Sequence, residues 1–183
     1  MAYVRPMDLS RVFRTFCTLF GGLACLFVGI SSSVAQNGYT RGEKAYEVGR
    51  YNKALLEFQP LVEKGHAGAE FMTGVMYFQG VGVARDRKIA AIWFHKAAIK
   101  GHAGAQLAFG SIHIRGVGVF QDLVQAYKWL SLAADSKVPG LQQQAASLRG
   151  DAEKLMTPEE VSRAVASARG FTPTRAGLVA NED

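Results

Sequence analysis

Four histidines, two repeated aspartates and two cysteines are the residues whose types suit chemistry. His66 and His102 occupy the same place in two copies of Gly-His-Ala-Gly-Ala. Imidazoles in matching positions invite a metal site. They would sit on successive helices, however, packed ~10 Å apart, and one zinc held at ~2 Å by both would be strained. The pair therefore reads as polar helix starts. His95 reads as an outward residue beside Lys96, and His113 as a half-buried ring; no His-Glu-x-x-His spacing occurs. Ser111 lacks the Gly-x-Ser-x-Gly elbow that exposes a nucleophile. The glycines of Gly80–Val83 and Gly116–Val119 have neither the Lys-Ser/Thr nor the preceding strand of a phosphate cradle. Cys17 and Cys25 both lie in the first 35 residues, so the remainder has no thiol nucleophile or thiolate ligand. No catalytic residue, metal ligand or cofactor site is assigned, and the expected class is a binding module rather than an enzyme.

The elements that carry these residues repeat. Residues 65–100 and 101–136 align without a gap and share 15 of 36 positions. Such a period is expected of stacked helix pairs. Gly74 and Gly110 fall on the side of each first helix where a neighbour must approach closely. The Gly-Val-Gly-Val stretches break those helices, and Asp86 and Asp122 stand where an N-cap is needed. Ala90, Trp93 and Ala97, with Ala126, Trp129 and Ala133, recur on one face of each second helix. Both tryptophans are expected in the core. Gly101 ends one second helix; Lys137 in the matching place suggests that the array is ending.

A looser leading unit spans 38–64, where Ala54, Phe58 and Gly65 precede Ala90, Phe94 and Gly101 by 36. Helices are expected at 38–48, 52–64, 67–79, 87–100, 103–115 and 123–136. Capping helices then occupy 139–169, the first over 139–156 with Leu141, Ala145, Leu148, Ala152 and Leu155 on its apolar face. The second is announced by Thr157-Pro158-Glu159-Glu160. Residues 170–183 read as a flexible tail.

Residues 1–35 read as an address. Arg11 and Arg14 precede an apolar run, Phe16 to Ile30, that ends in Ser31-Ser32-Ser33-Val34-Ala35. This is the order of parts in a secretory signal peptide, with cleavage expected between Ala35 and Gln36. The run is shorter than the ~20 residues of a bilayer span, so an uncleaved inner-membrane anchor is the lesser reading. The expected location is periplasmic or secreted, with membrane contact only through this segment. The net charge is +6. Beyond residue 35 the surplus contains no basic run and reads as spread along the chain, which argues against nucleic acid.

The pattern GHAGAxxxxGxxxxxGVGVxxDxxxAxxWxxxAA over 65–136 resembles the Sel-1-like repeats, relatives of the tetratricopeptide repeat; residues 39–64 resemble a plain tetratricopeptide unit. Thr73 and His113 depart from the leucine and tyrosine usual in that pattern. The resemblance implies an all-α fold, an α/α superhelix or solenoid with C-terminal capping helices. It also implies an adaptor that holds proteins or peptides, as many members do in the bacterial envelope. On such a fold the first helices line the concave side. The expected partner-binding face is Tyr46, Phe71, Val75, Phe78 and Gln79, continued by Leu107, Ser111, Ile114 and Arg115. Two arrangements stay open: an open groove, or a strip covered by the last two helices. Two other functions stay open as well, a cell-envelope hydrolase acting on peptidoglycan or a β-lactam, and a structural spacer.

Overall fold

The computed structural model describes residues 37–138 and 140–174. The expected signal peptide lies outside them. The chain divides into two units, Met1–Gly38 and Tyr39–Asp183, and nearly all described residues belong to the second. The described residues form helices and connecting turns, without strands: an all-α repeat fold. A first helix, α1, covers residues 37–47. It is followed by α2 (Tyr51–Glu63), α3 (Ala67–Gln79), α4 (Arg87–Ile99), α5 (Ala103–Arg115), α6 (Leu123–Ala134), α7 (Leu141–Glu153) and α8 (Pro158–Arg169). Among these residues no helix is long and apolar enough to cross a membrane.

Each helix starts and stops for a local reason. Asp86 accepts bonds from the N–H groups of Lys88 and Ile89, and Asp122 from that of Gln125, as the spacing predicts. Thr157 and Glu160 close a capping box with Pro158 in the first turn. The helices α3 and α5 end at Gly80 and Gly116, both left-handed, at φ 77° and 66°.

Packing follows from missing side chains. A Cβ placed on Gly74 would come within 2.7 Å of the Phe94 ring, and one on Gly110 within 2.7 Å of Leu130. Phe94 and Leu130 hold equivalent positions in the second helices α4 and α6. Gly42 does the same for Phe58 in the leading pair, where an added Cβ would sit on the ring itself. Each bare stretch of backbone thus admits one large side chain from the partner helix. Thr73, a polar residue in this interior, is satisfied by donating to the Ala69 carbonyl at 2.8 Å.

The Gly-Val-Gly-Val loop joins one unit to the previous one. Gly82 lies against Tyr51, and Gly118 against the carbonyl of Arg87, each the first residue of the preceding second helix.

Three expectations need correction. Trp129 is buried, but Trp93 is half-exposed, with the Lys96 ammonium 4.1 Å from its ring. The helix expected at 139–156 covers only Leu141–Glu153, so Leu155 falls beyond it and is exposed. The last two helices follow the repeats as a cap: α7 packs on α6 and beside α5, whereas α8 returns to α6. Nor is the start of the tail loose. Phe171 meets Trp129 edge-on at 5.4 Å, and the Thr174 N–H donates to the Ile99 carbonyl at 2.9 Å. Residues 175–183 lie outside the described range.

The loop glycines can be weighed against each other. Gly49 and Gly118 both have positive φ, 73° and 77°, but only Gly118 faces backbone, 2.2 Å from its would-be Cβ. Gly49→Ala should therefore cost about 1–2 kcal/mol, the left-handed penalty alone. Gly118→Ala should cost a further ~1–3 kcal/mol from the clash. Urea midpoints followed by helical circular dichroism check the order; equal losses would contradict it.

Candidate functional site

The expected site residues come from three first helices, and the structure gives them different surroundings. Phe71 is engaged with its neighbours: it lies 5.9 Å from Phe94 and stacks on the His102 ring at 4.7 Å. Val75 packs against the cluster built around Phe94 and Phe109. Leu107 packs against Ala133, Ala134 and Ala145, so α7 covers that part of the strip. Tyr46 donates its hydroxyl to the side-chain Oε1 of Gln79 at 2.5 Å, which ties α1 to the end of α3. Phe78, Ser111, Ile114 and Arg115 are the four brought together, and they line a cleft of about 380 Å³.

That cleft answers the question of coverage. Its far wall is α7, which contributes Gln144, Leu148 and Asp151. The strip on α5 is covered at Leu107 and open from Ser111 onward. Ile114 and Leu148 supply half-buried apolar surface, and the exposed Arg115 and Asp151 supply opposite charges. Ser111 donates its hydroxyl to the Leu107 carbonyl of its own helix at 2.7 Å. It is therefore a helix residue with its proton engaged, as the missing elbow motif suggested. The three α7 residues were not singled out from the sequence, because nothing local in a cap helix says which neighbour it will face.

The histidines resolve into structure. His66 and His102 are the N-caps of α3 and α5, their Nδ1 atoms accepting from Ala69 and Ala105 at 3.2 and 3.1 Å. Each ring also carries an aromatic from the preceding unit, Tyr39 on His66 at 5.0 Å and Phe71 on His102 at 4.7 Å. Gly68 and Gly104 leave room for those rings. The repeated Gly-His-Ala-Gly-Ala is thus a junction between units. Burial, reinforced by the nearby His66, pushes the His102 imidazole down to about 4. His95 and His113 are also lowered, again chiefly by burial; Lys128 adds to the effect at His95. For His113 a bond to the Phe120 backbone and the Asp122 carboxylate oppose it. Among the described residues no three His, Cys, Asp or Glu side chains converge as metal ligands.

One charged pair is interior. Lys100 reaches Glu70 at 2.6 Å and donates to the Gly65 carbonyl at 2.8 Å, bridging the two junctions. The second unit has Gln106 in place of Glu70, and its amide donates to the Ala98 carbonyl at 3.3 Å.

A comparison with protein families matches residues 67–102 and 103–138 to the Sel1 repeat. The two matched stretches fall on the two strict units. Among solved structures, the chain is similar to a protective antigen present in uropathogenic Escherichia coli strains, displaying an SLR fold. The identity is 28% and the TM-score 0.71, over 80% of this chain and 31% of that one. It also shares its fold with a Sel1 repeat protein from Oxalobacter formigenes, at 24% identity and a TM-score of 0.57, over 76% of this chain and 56% of that one. This chain therefore spans about a third and just over half of those two lengths. No curated protein matches it. The matched frame starts at Ala67 and Ala103, the first residues of α3 and α5, so the first stretch runs from one histidine cap to the next and the second ends at Val138.

The cap geometry has a pH signature. An imidazole held below its ordinary 6.5 takes up its proton more readily in the unfolded chain. Its contribution is fully present above about pH 6.5 and is lost as pH falls toward 4. The loss should be on the order of 2–3 kcal/mol. His102→Asn keeps a capping side chain that does not titrate. The fall in melting temperature across that window should be shallower in the variant than in the wild-type chain; equal slopes would remove His102 from the account.

Proposed function

We propose that the chain is an exported, non-catalytic adaptor of the bacterial cell envelope that binds a protein or peptide along its first-helix side. The observation that carries this reading is the cleft between α5 and α7. It offers half-buried apolar surface at Ile114 and Leu148, beside the exposed and oppositely charged Arg115 and Asp151. A concave patch of that kind suits one or two side chains of a peptide, with polar groups to fix its direction.

Two further points support it. The residues that repeat are occupied as caps, turn glycines and core, whereas Ser111, Ile114 and Arg115 differ from their first-repeat counterparts Val75, Phe78 and Gln79. Sel1 repeats are commonly protein-interaction modules, and the two similar structures described above are an SLR-fold protein and a Sel1 repeat protein. The envelope location rests on the basic, apolar and small-residue order of positions 1–35.

A photo-crosslinking residue at Ser111, in the full chain expressed in its own host, provides the test. Discrete adducts in the envelope fraction are expected. Ile114→Asp, and separately the exposed Arg115→Glu, should reduce them at least about fivefold with helical content retained, because both alter the cleft rather than the core. No adduct, or adducts indifferent to both substitutions, would overturn the reading and leave a structural spacer.

A further inference from the structure

A second cavity, of about 760 Å³, lies between α4 and the loop Gly116–Phe120. Its walls include Ile92, His95, Phe109, Val119 and Phe120. Phe120 is 95% exposed and Ile92 56%, unusual for large apolar side chains lining one concavity. The loops of the two Sel1 repeats are otherwise alike here, but Ala84 holds in the first the place of Phe120 in the second.

The surroundings specify a charge. Residues 85–134 contain seven Lys and Arg against two Asp, Asp86 and Asp122. The two repeats as a whole, residues 65–136, hold seven Lys and Arg against four acidic residues, a surplus of three. Asp86 and Asp122 are engaged as N-caps of α4 and α6. No carboxylate lines the cavity, and Lys88 does. Lys128 is not in the lining, but it is near enough to His95, which is, to lower that residue's proton affinity.

The chain itself shows how this face takes a segment. Phe171 packs on Trp129 beneath the Lys128 ammonium, and Thr174 bonds Ile99 of α4. Trp129 touches His95 and Phe109, two walls of the cavity. The cavity thus continues a surface already filled in part by an aromatic anchor under a lysine.

We propose that the cavity between α4 and the Gly116–Phe120 loop is a second docking site, for an acidic peptide segment of a partner protein. A large apolar side chain of that segment seats against Ile92, Phe109 and Phe120, with carboxylates toward Lys88 and Lys128. The site is separate from the α5–α7 cleft and does not depend on it.

The test is a random-peptide phage library selected on the full chain and counter-selected on Phe120→Ala, whose exposed position leaves the fold intact. Enriched sequences should carry Asp and Glu around Phe, Trp or Leu. Fluorescence anisotropy of an enriched peptide should show at least about tenfold weaker binding to Phe120→Ala. Lys88→Glu and added salt should also weaken it. Basic or uncharged enrichment, or affinity indifferent to Phe120, overturns the proposal. So does binding that emerges only after deletion of residues 175–183, which would make the chain's own segment the occupant. Self-association abolished by Phe120→Ala would likewise assign the site to a second copy.

Discussion

Three glycines without side chains set the spacing of this array. Gly42, Gly74 and Gly110 each receive one large side chain, Phe58, Phe94 or Leu130, from the partner helix of the pair. Helices otherwise pack at separations set by the residues between them; here the backbone itself is the surface of contact. A core of alanines follows from that closeness. Ala54, Ala90 and Ala126 are fully buried in equivalent places, as are Ala69 and Ala105 on the first helices. Larger residues at those positions would have no space to occupy.

The same economy of space governs the junctions between units. Gly68 and Gly104 admit the rings of Tyr39 and Phe71, which stack on the histidines that cap α3 and α5. Cap, ring and small residue act together, so a polar helix start is also part of the packing. Where the pattern lapses, the chain closes differently. Leu107 meets the alanines of α6 and α7 in place of a capping ring, and α8 turns back onto α6.

Much of this was legible because it is local. Caps, left-handed glycines and the 36-residue period are written within a few residues of where they act, and the helix bounds fall within about two residues of expectation except at α7. Gly42 was not recognised as the third contact glycine. The leading unit lacks the Gly-Val-Gly-Val insert, so Gly42 stands 16 residues before Phe58 rather than the 20 that separate Gly74 from Phe94. Trp93 was misjudged for a tertiary reason. Trp129 is covered by Phe171 and edged by His95 and Phe109. Trp93 meets Lys96 instead, and no repeat pattern contains that difference. The candidate cleft was half legible: its α5 wall lay on the expected face, but its α7 wall depended on how a non-repeating helix returned.

Repeated residues therefore build the array, and the departures from repetition create its candidate surfaces. Ile114 and Arg115 differ from Phe78 and Gln79, and Phe120 differs from Ala84. The claim beneath both is that the glycine contact holds each helix pair together. A double-mutant cycle between Gly110→Ala and Leu130→Ala tests it most directly, read by urea denaturation. Gly110→Ala should cost about 1–3 kcal/mol alone and close to nothing once Leu130 is shortened. Equal costs in the two backgrounds would contradict the account.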